Sequence, residues 1–284
     1  MEKKHMGKRI LVMPQFNEAR TIIQVLDEAY TYVDIIVVVD DGSTDTSYAL
    51  IEAWMKDKDK VYLIRLGKNR GMSGALLAGF CQVLRFLEMG LVDSSDIVIN
   101  IDADGQHRPQ EIPSVVEFMQ MGGYDIVLTR RDLSGYPRFK RLGNWGLSLW
   151  ASLLGGVKYH DVECGFRFMR AAVIPHLLKY FTGRRYGCAQ EIGIITALLG
   201  FKINNEFPTH INYYREGAKV RDGLTNLGMG LLAFSRVKLG IRNDLSKLVK
   251  KVFSDAFVWT PATGLTPGLG TTTSSVTPPG VAIS

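Results

Sequence analysis

Two apolar runs, residues 35–39 and 97–101, the second of which includes Asn100, each lead directly into an acidic turn. Neither run shows the alternation of polar and apolar residues that marks a strand open to water on one side. Strand-like and helical patterns also alternate along the chain as far as residue 128. The sequence therefore predicts a doubly wound α/β fold with a mostly parallel sheet, in which ligands collect beyond the carboxyl ends of the strands.

The acidic turn after the second run contains two carboxylates, Asp102 and Asp104. Side chains alternate along a strand, so residues two apart project to the same side where the strand ends. Like charges at that spacing repel, and a hard cation such as Mg²⁺ or Mn²⁺ relieves the repulsion and bridges carboxylate to phosphate. The sequence thus indicates a metal-bound diphosphate site, and local turn bonding by Asp and Gly is the alternative.

Composition and charge limit the classes of protein to consider. At 284 residues with 46% hydrophobic content, the chain is long enough for one sizeable core. An excess of 34 basic over 28 acidic residues suits anionic ligands or an anionic surface but is too mild to indicate nucleic acid. Its three cysteines lack the spacing of a zinc site or a disulfide framework, which fits a reducing, cytoplasmic environment.

The remaining patterns divide the chain into three parts: a catalytic domain at 1–225, amphipathic basic helices at 226–253 and a flexible tail at 254–284. Helical segments after residue 128 combine an apolar face with flanking basic residues. This combination predicts contact with a membrane surface, and packing into the core is the alternative. No run reaches the roughly 20 apolar residues that span a bilayer. The tail is rich in Pro, Gly, Thr and Ser, and it contains a single charge, Asp255.

Short motifs follow one another in order at the ends of the predicted strands. They lie at residues 14–18, 40–45, 69–71, 102–109, 161–167 and 215–219. This order resembles the inverting glycosyltransferases of family 2, which have the GT-A fold, and within them the dolichyl-phosphate and polyprenyl-phosphate sugar synthases. The resemblance covers about residues 8 to 222. It implies transfer of a hexose, mannose or glucose, from a GDP- or UDP-sugar such as GDP-mannose.

The resemblance also implies roles for individual residues on the donor side. Mg²⁺ or Mn²⁺ is expected on Asp102, Asp104 and Gln106, the last two of which are also assigned to catalysis. The donor-binding positions are Pro14, Phe16, Glu18, Asp40, Asp41, Asp102 and Ala103. Asp-Gly-Ser-Thr is equally a good turn before a helix, so turn and cap chemistry is the alternative for the acidic pair that begins at Asp40.

On the acceptor side, two mechanisms remain open. A lipid phosphate is already anionic, so cations matter most; the candidates are Arg130, Arg138, Arg167, Arg215 and Lys219. A hydroxyl acceptor instead needs a general base, for which the matching family position is Asp161, with Glu163 second. A salt bridge from Asp161 to Arg167 or another cation is the alternative to that role.

Several departures from the family pattern affect the acceptor side. Phe16 replaces the usual tyrosine, and Ala218 stands where a serine would offer a phosphate contact. His107 is expected to be structural. Without the transmembrane helices of many relatives, the chain resembles the minimal type bound peripherally at the cytoplasmic face of a membrane, with a homo-oligomer left open. A nucleotidylyltransferase would need a Gly-rich, Arg-bearing loop after the first strand, and a non-catalytic nucleotide-binding protein would bind without turnover.

Overall fold

The computed structural model describes residues 7–184, 186–211 and 220–259. Its strands are β1 (Arg9–Gln15), β2 (Ile35–Asp40), β3 (Val61–Leu66), β4 (Ile97–Asn100), β5 (Ile126–Leu128), β6 (Arg130–Arg131), β7 (Arg167–Arg170), β8 (Ile203–Asn204), β9 (Pro208–Thr209) and β10 (Ala256–Trp259). Its α-helices are α1 (Ile22–Tyr30), α2 (Ser47–Trp54), α3 (Met72–Glu88), α4 (Ile112–Gly122), α5 (Arg138–Gly155), α6 (Val173–Leu178), α7 (Cys188–Leu198), α8 (Val220–Lys238) and α9 (Leu245–Phe253). Short 3₁₀ turns lie at Met55–Asp57 and Pro109–Glu111.

A mixed eight-stranded sheet has the order β10-β3-β2-β1-β4-β7-β5-β8. Strands β3, β2, β1 and β4 are parallel neighbours, and β5 is parallel to β8. Only β7 and β10 run antiparallel to their neighbours in this sheet. The prediction of a mostly parallel α/β sheet is therefore confirmed. The sequence did not predict that β7 runs antiparallel, because an apolar run has the same appearance whichever way the strand runs.

Helices cover the sheet on both faces, which explains the two apolar runs. In β2, Val37 and Val39 pack on one side with α3 and α5 to α9, whereas Ile36 and Val38 pack on the other with α1, α2 and α4. Each of these four side chains is fully buried. A strand with apolar neighbours on both faces needs no polar positions, as the pattern predicted.

The predicted amphipathic segments correspond to α5, α8 and α9, which differ in what covers their apolar faces. In α9, Val252 is buried, and Leu248 and Phe253 pack against the core. The apolar face of α9 therefore contacts the protein core, which was the alternative to membrane contact. In α8, Ala233 is fully buried, whereas other apolar side chains of the helix are exposed. Helix α5 buries little of its apolar face. None of the helices in the described ranges combines the length and apolarity needed to cross a bilayer.

Strand β10 corrects the predicted boundary of the flexible tail, because it lies inside residues 254–284. It pairs with β3 in the register Ala256 to Leu66, and Gly67 N donates to Asp255 O at 3.0 Å. Ala256 and Val258 pack on the core, whereas Phe257 points outwards. This short alternation is enough to extend the sheet by one edge strand. Residues 260–284 lie outside the described residues.

Candidate active site

The ends of β1, β2 and β4 meet at one edge of the sheet, as expected for parallel neighbours. At the tips of β1 and β2, the side chain of Gln15 donates to Asp40. At the tips of β1 and β4, Thr21 Oγ1 donates to Ala103 O at 2.9 Å. The motifs at 14–18, 40–45 and 102–109 thus form one continuous rim. This is the location that the strand pattern predicted for the site.

The turn after β1 supplies one wall of the rim. Pro14 is buried inside the strand, while Phe16 exposes 40% of its surface beside it. Asn17 has a positive φ of 56° and its Oδ1 accepts from Thr44 N at 2.8 Å and Asp45 N at 3.2 Å. The turn is therefore fastened to the motif after β2, and Phe16 is left with an exposed ring next to the site.

The acidic pair after β2 is buried and engaged in local contacts. Asp41 accepts from Arg70 N and Gly71 N, both at 2.8 Å, and so holds the loop that begins α3. Burial raises the pKa of Asp41 to about 6 and also raises the pKa of Asp40. Asp40 additionally lies 3.6 Å from Arg65 Nε. The predicted turn-and-cap role describes the contacts of Asp41, and contact of either residue with a donor stays a prediction.

Asp102 has a buried oxygen that nothing in the described protein satisfies. Its Oδ1 atom has no hydrogen-bond partner, and burial, followed by the charge of Asp104, raises the pKa of Asp102 to about 6. A Cβ at position 165 would overlap the Asp102 carboxylate, so Gly165 leaves the space that this carboxylate occupies. An orphaned carboxylate oxygen beside a second carboxylate fits a divalent cation.

The rest of this turn is described mainly by its backbone contacts. Gln106 donates its backbone N to Asp104 Oδ1 at 3.0 Å, and its side chain as a metal ligand stays a prediction. Within the described ranges, no cluster of three or more His, Cys, Asp or Glu side chains suited to a metal occurs. Mg²⁺ commonly binds one or two carboxylates and completes its shell with substrate phosphates and water. Asp102 and Asp104 match that pattern.

Asp161 forms a buried two-point ion pair with Arg131. Arg131 Nε lies 2.7 Å from Oδ2, Nη2 lies 2.8 Å from Oδ1, and the Arg131 backbone N also donates to Oδ2 at 3.1 Å. Burial alone would raise the pKa of Asp161, but the Arg131 charge and hydrogen bonds outweigh it and hold the pKa below its usual value. The salt-bridge alternative therefore describes Asp161, with Arg131 as its partner and not Arg167.

Arg167 and His107 lie buried between these groups. Arg167 occupies the β7 position opposite Asn100, and its Nη1 has no partner in the described chain. The charge of Arg167 lowers the pKa of Asp102, against the larger effect of burial. His107 packs against Phe166 with ring centroids 5.4 Å apart in a tilted arrangement, and burial lowers its pKa to about 3. Its Nδ1 has no partner among the described residues, so a structural role for His107 stays a prediction.

The predicted acceptor cations are only partly described. Arg130 is exposed in β6, where its backbone N donates to Phe207 O at 2.7 Å, and Arg138 is exposed at the start of α5. Arg215 and Lys219 lie outside the described residues, and Glu18 is partly buried on the rim. A cavity of about 570 Å³ beside α5 is lined by Leu133, Arg138, Arg141, Leu142, Asn144, Trp145 and His160. Asn144 also accepts from Arg131 Nη2 at 3.2 Å, which joins this cavity to the Asp161 pair.

Sequence reasoning missed two contributors to the site. Neither Arg131 nor Asn226 was singled out from the sequence. Asn226 is 4% exposed and donates from Nδ2 to Glu163 Oε2 at 3.1 Å, while Gln190 Nε2 donates to Glu163 Oε1 at 2.9 Å. The one signal for Asn226 was an amide amid a largely apolar helical stretch.

The strand-tip rim and its two carboxylates define an enzyme of the GT-A class, whose sheet binds nucleotide sugars at this edge. The sequence matches the glycosyl transferase family 2 profile over residues 10–178. The chain belongs to this family and is a glycosyltransferase.

Two relatives and one solved structure illustrate the likeness. A UDP-N-acetylglucosamine–dolichyl-phosphate N-acetylglucosaminyltransferase from Methanococcus voltae is 28% identical, over 80% of this chain and 93% of that protein. An undecaprenyl-phosphate mannosyltransferase from Micrococcus luteus is 26% identical, over 68% of this chain and 79% of that protein. The glucosyl-3-phosphoglycerate synthase of Mycobacterium tuberculosis, solved with Mn²⁺, UDP and phosphoglyceric acid, superposes with a TM-score of 0.56 at 20% identity, over 84% and 80% of the two chains.

Proposed function

We propose that this glycosyltransferase moves a hexose, with inversion, from a nucleotide sugar to a polyprenyl or dolichyl phosphate. The observation that carries the proposal is the ion pair between Arg131 and Asp161. Both oxygens of the carboxylate at the family's general-base position accept hydrogen bonds from one arginine. A carboxylate held in this way, with a lowered pKa, is a poor acceptor for the proton of a hydroxyl.

A phosphate acceptor removes the need for that base. Its attacking oxygen is already anionic at neutral pH, so the protein has to position it and screen its charge. The exposed guanidinium group of Arg138, on the wall of the cavity beside α5, and that of Arg130 are suited to bind phosphate. The names of both curated relatives include a polyprenyl phosphate, which supports the same acceptor class here.

On the donor side, we assign Mg²⁺ or Mn²⁺ to Asp102 and Asp104. When bound, the cation offsets the charge of the diphosphate and stabilises it as a leaving group. The Mn²⁺ and UDP in the synthase from M. tuberculosis support this assignment. Phe16 offers an exposed ring on which the base of the nucleotide stacks. Mannose and glucose are the hexoses that we propose, carried by GDP or UDP.

Helix α5 supports a position on a membrane surface, for which we propose the cytoplasmic face. Its outer face exposes large apolar side chains along successive turns: Phe139 (63%), Leu142 (66%), Trp145 (60%), Leu149 (43%) and Leu153 (70%). Arg138 and Arg141 stand at one end of this face. An apolar stripe with aromatic residues and flanking cations favours binding in a lipid interface, where the acceptor also resides.

A panel of nucleotide sugars tests the proposal. Radiolabelled GDP-mannose, UDP-glucose and related donors are incubated with polyprenyl phosphate and Mn²⁺, Mg²⁺ or EDTA, and organic-phase label is counted. We expect label in the organic phase with one donor and a metal only, and its loss in Asp102→Asn and Asp104→Asn. No transfer from any donor would refute the acceptor assignment, and full activity in EDTA would refute the metal.

A further inference from the structure

Helix α8 packs beside the site across α5 and α7. Trp150 Nε1 on α5 donates to Leu227 O at 3.0 Å, and the Met229 side chain lies where a Cβ at Gly187 would be, before α7. Thr225 and Met229 also form one wall of a cavity of about 460 Å³ whose other lining residues are Arg70, Gly183 and Arg184. The position of α8 therefore sets the width of a cationic cavity at the start of α3.

Among the described side chains, a polar contact joins this helix to the motif at 161–167. The buried side chain of Asn226 donates to Glu163 Oε2. Gln190 on α7 donates to the other carboxylate oxygen, Glu163 Oε1. Asn226 Oδ1 and Gln190 Oε1 are buried without partners in the described chain. Asn226 therefore depends on the Glu163 carboxylate as the acceptor for its side-chain amide and loses that partner if α8 moves away. Gln190 lies on α7, also donates to Leu147 O at 3.3 Å, and keeps its contact with Glu163.

The same segment reaches the chemistry on either side of Glu163. Asp161, two residues before, holds Arg131, and Gly165, two residues after, abuts the Asp102 carboxylate. The charge of Arg167 acts on both Glu163 and Asp102. Glu163 thus lies between the carboxylate paired with Arg131 and the carboxylate assigned to the metal, and Gln190 continues to hold it in place if Asn226 withdraws.

We propose that Glu163 is a positioning residue whose carboxylate latches α8, through Asn226, onto the segment that carries Asp161 and Gly165. The latch fixes α8 against α5, where Trp150 donates to Leu227 O, and so shapes the acceptor side at the cavity beside α5. Donor binding at the tips of β1, β2 and β4 does not depend on it. The kinetic consequence rests on the proposed function, whereas the docking of α8 does not.

Exchanging the hydrogen-bond donor of Asn226 with the hydrogen-bond acceptor of Glu163 tests the latch. Asn226→Asp sets two carboxylates against each other, and we expect amide hydrogen exchange in α8 to become about tenfold faster, with kcat/KM for polyprenyl phosphate about tenfold lower. The thermal shift produced by Mn²⁺ and the nucleotide sugar should be unchanged. The double variant E163Q/N226D restores a hydrogen bond with the roles reversed, and both quantities should return to within about twofold of wild type.

Two further variants keep the test decisive. Asn226→Ala removes the hydrogen-bond donor without adding charge. It should speed amide exchange in α8 and lower kcat/KM for polyprenyl phosphate, but by less than N226D does. Ser235→Ala, elsewhere on α8, is the control and should match wild type. The proposal is overturned if N226D behaves like S235A, or if E163Q/N226D is no better than N226D. If wild type transfers no sugar to lipid phosphate, the proposed function fails, and hydrogen exchange still decides whether the latch exists.

Discussion

Arg131 grips both carboxylate oxygens of Asp161, at 2.7 and 2.8 Å, in a pair that is almost fully buried on the Asp161 side. Buried pairs of this kind fix the position of the groups around them, and they are costly to break because the remaining charge is left without a partner. Here the pair links β6, the segment at 161–167 and Asn144 on α5. Under the proposed function, Asp161 therefore orients the acceptor cleft and does not remove a proton.

Replacing Asp161 separates these two roles. Asp161→Asn should lower the free energy of unfolding by about 3 kcal/mol, because Arg131 loses its counter-charge. The activity that remains should keep the wild-type dependence of kcat on pH. Denaturant unfolding and a pH–rate profile check this. A general-base role would instead remove the acidic limb of the profile, and that result would contradict the assignment.

The space next to Asp102 is a second point to test. Gly165→Ala adds a methyl group that overlaps the Asp102 carboxylate and should reduce transfer by more than about a hundredfold, since even outer partners of a metal site cost 10–100-fold. The variant should need a higher Mn²⁺ concentration to reach half of its maximal rate, while its circular dichroism spectrum stays unchanged. Gly143→Ala is a matched control, because nothing lies within 4 Å of a Cβ built there. Equal activity of the two variants would contradict the geometry.

The apolar face of α5 predicts membrane binding that can be measured directly. Leu149→Gln with Leu153→Gln should weaken sedimentation with anionic vesicles by at least about tenfold, because each exposed leucine contributes on the order of 1 kcal/mol when it enters the interface. Transfer to a short, water-soluble polyprenyl phosphate should be unaffected.

Met121→Gln provides the comparison for that pair of changes. Met121 is 81% exposed, but it lies on α4, which covers the opposite face of the sheet. Vesicle binding should therefore not change. If the α5 variant binds vesicles as strongly as the Met121 variant, the α5 face is not the membrane surface.

Glu191 makes stability depend on pH. Its carboxylate accepts from Thr182 N at 2.8 Å, and burial raises its pKa to about 7, against opposing effects from these hydrogen bonds and from Arg236. The folded protein thus binds a proton that the unfolded chain releases above about pH 4.3, so this residue costs stability as pH rises from there to 7. Glu191→Gln should gain on the order of 2 kcal/mol over wild type between pH 5 and 8.

Thermal unfolding at several pH values checks this prediction. The difference in Tm between Glu191→Gln and wild type should grow with pH and level off above pH 7 to 8, where the carboxylate is fully ionised. A difference that stays constant across the range would show that the pKa of Glu191 is not raised in the folded protein.

Local patterns in the sequence were enough to place the donor half of the site. The runs before Asp40 and Asp102 are apolar on both faces because helices cover both faces of the sheet, so the strands and their tips could be located from the pattern alone. Parallel neighbours then bring their carboxyl ends together without further information. The two acidic turns are therefore neighbours in the fold, as predicted.

The acceptor half depended on contacts that no local pattern encodes. Arg131 and Asp161 are 30 positions apart, and Asn226 meets Glu163 across 63 positions. Helix α9 has the apolar periodicity of an interfacial helix, yet its apolar face packs on the core. Strand β10 lies in a segment whose composition predicted flexibility, because four alternating residues are enough to pair with an open sheet edge. In each case the deciding partner is distant in sequence.

A comparison of two acceptors that share one hydrocarbon chain tests the central claim most directly. The enzyme is incubated with Mn²⁺, its nucleotide sugar and either polyprenyl phosphate or the free polyprenol. Because Arg131 holds both oxygens of Asp161 and makes it a poor base, we predict that sugar is transferred to the phosphate and that none is transferred to the alcohol. Transfer to polyprenol at a comparable rate would contradict the account.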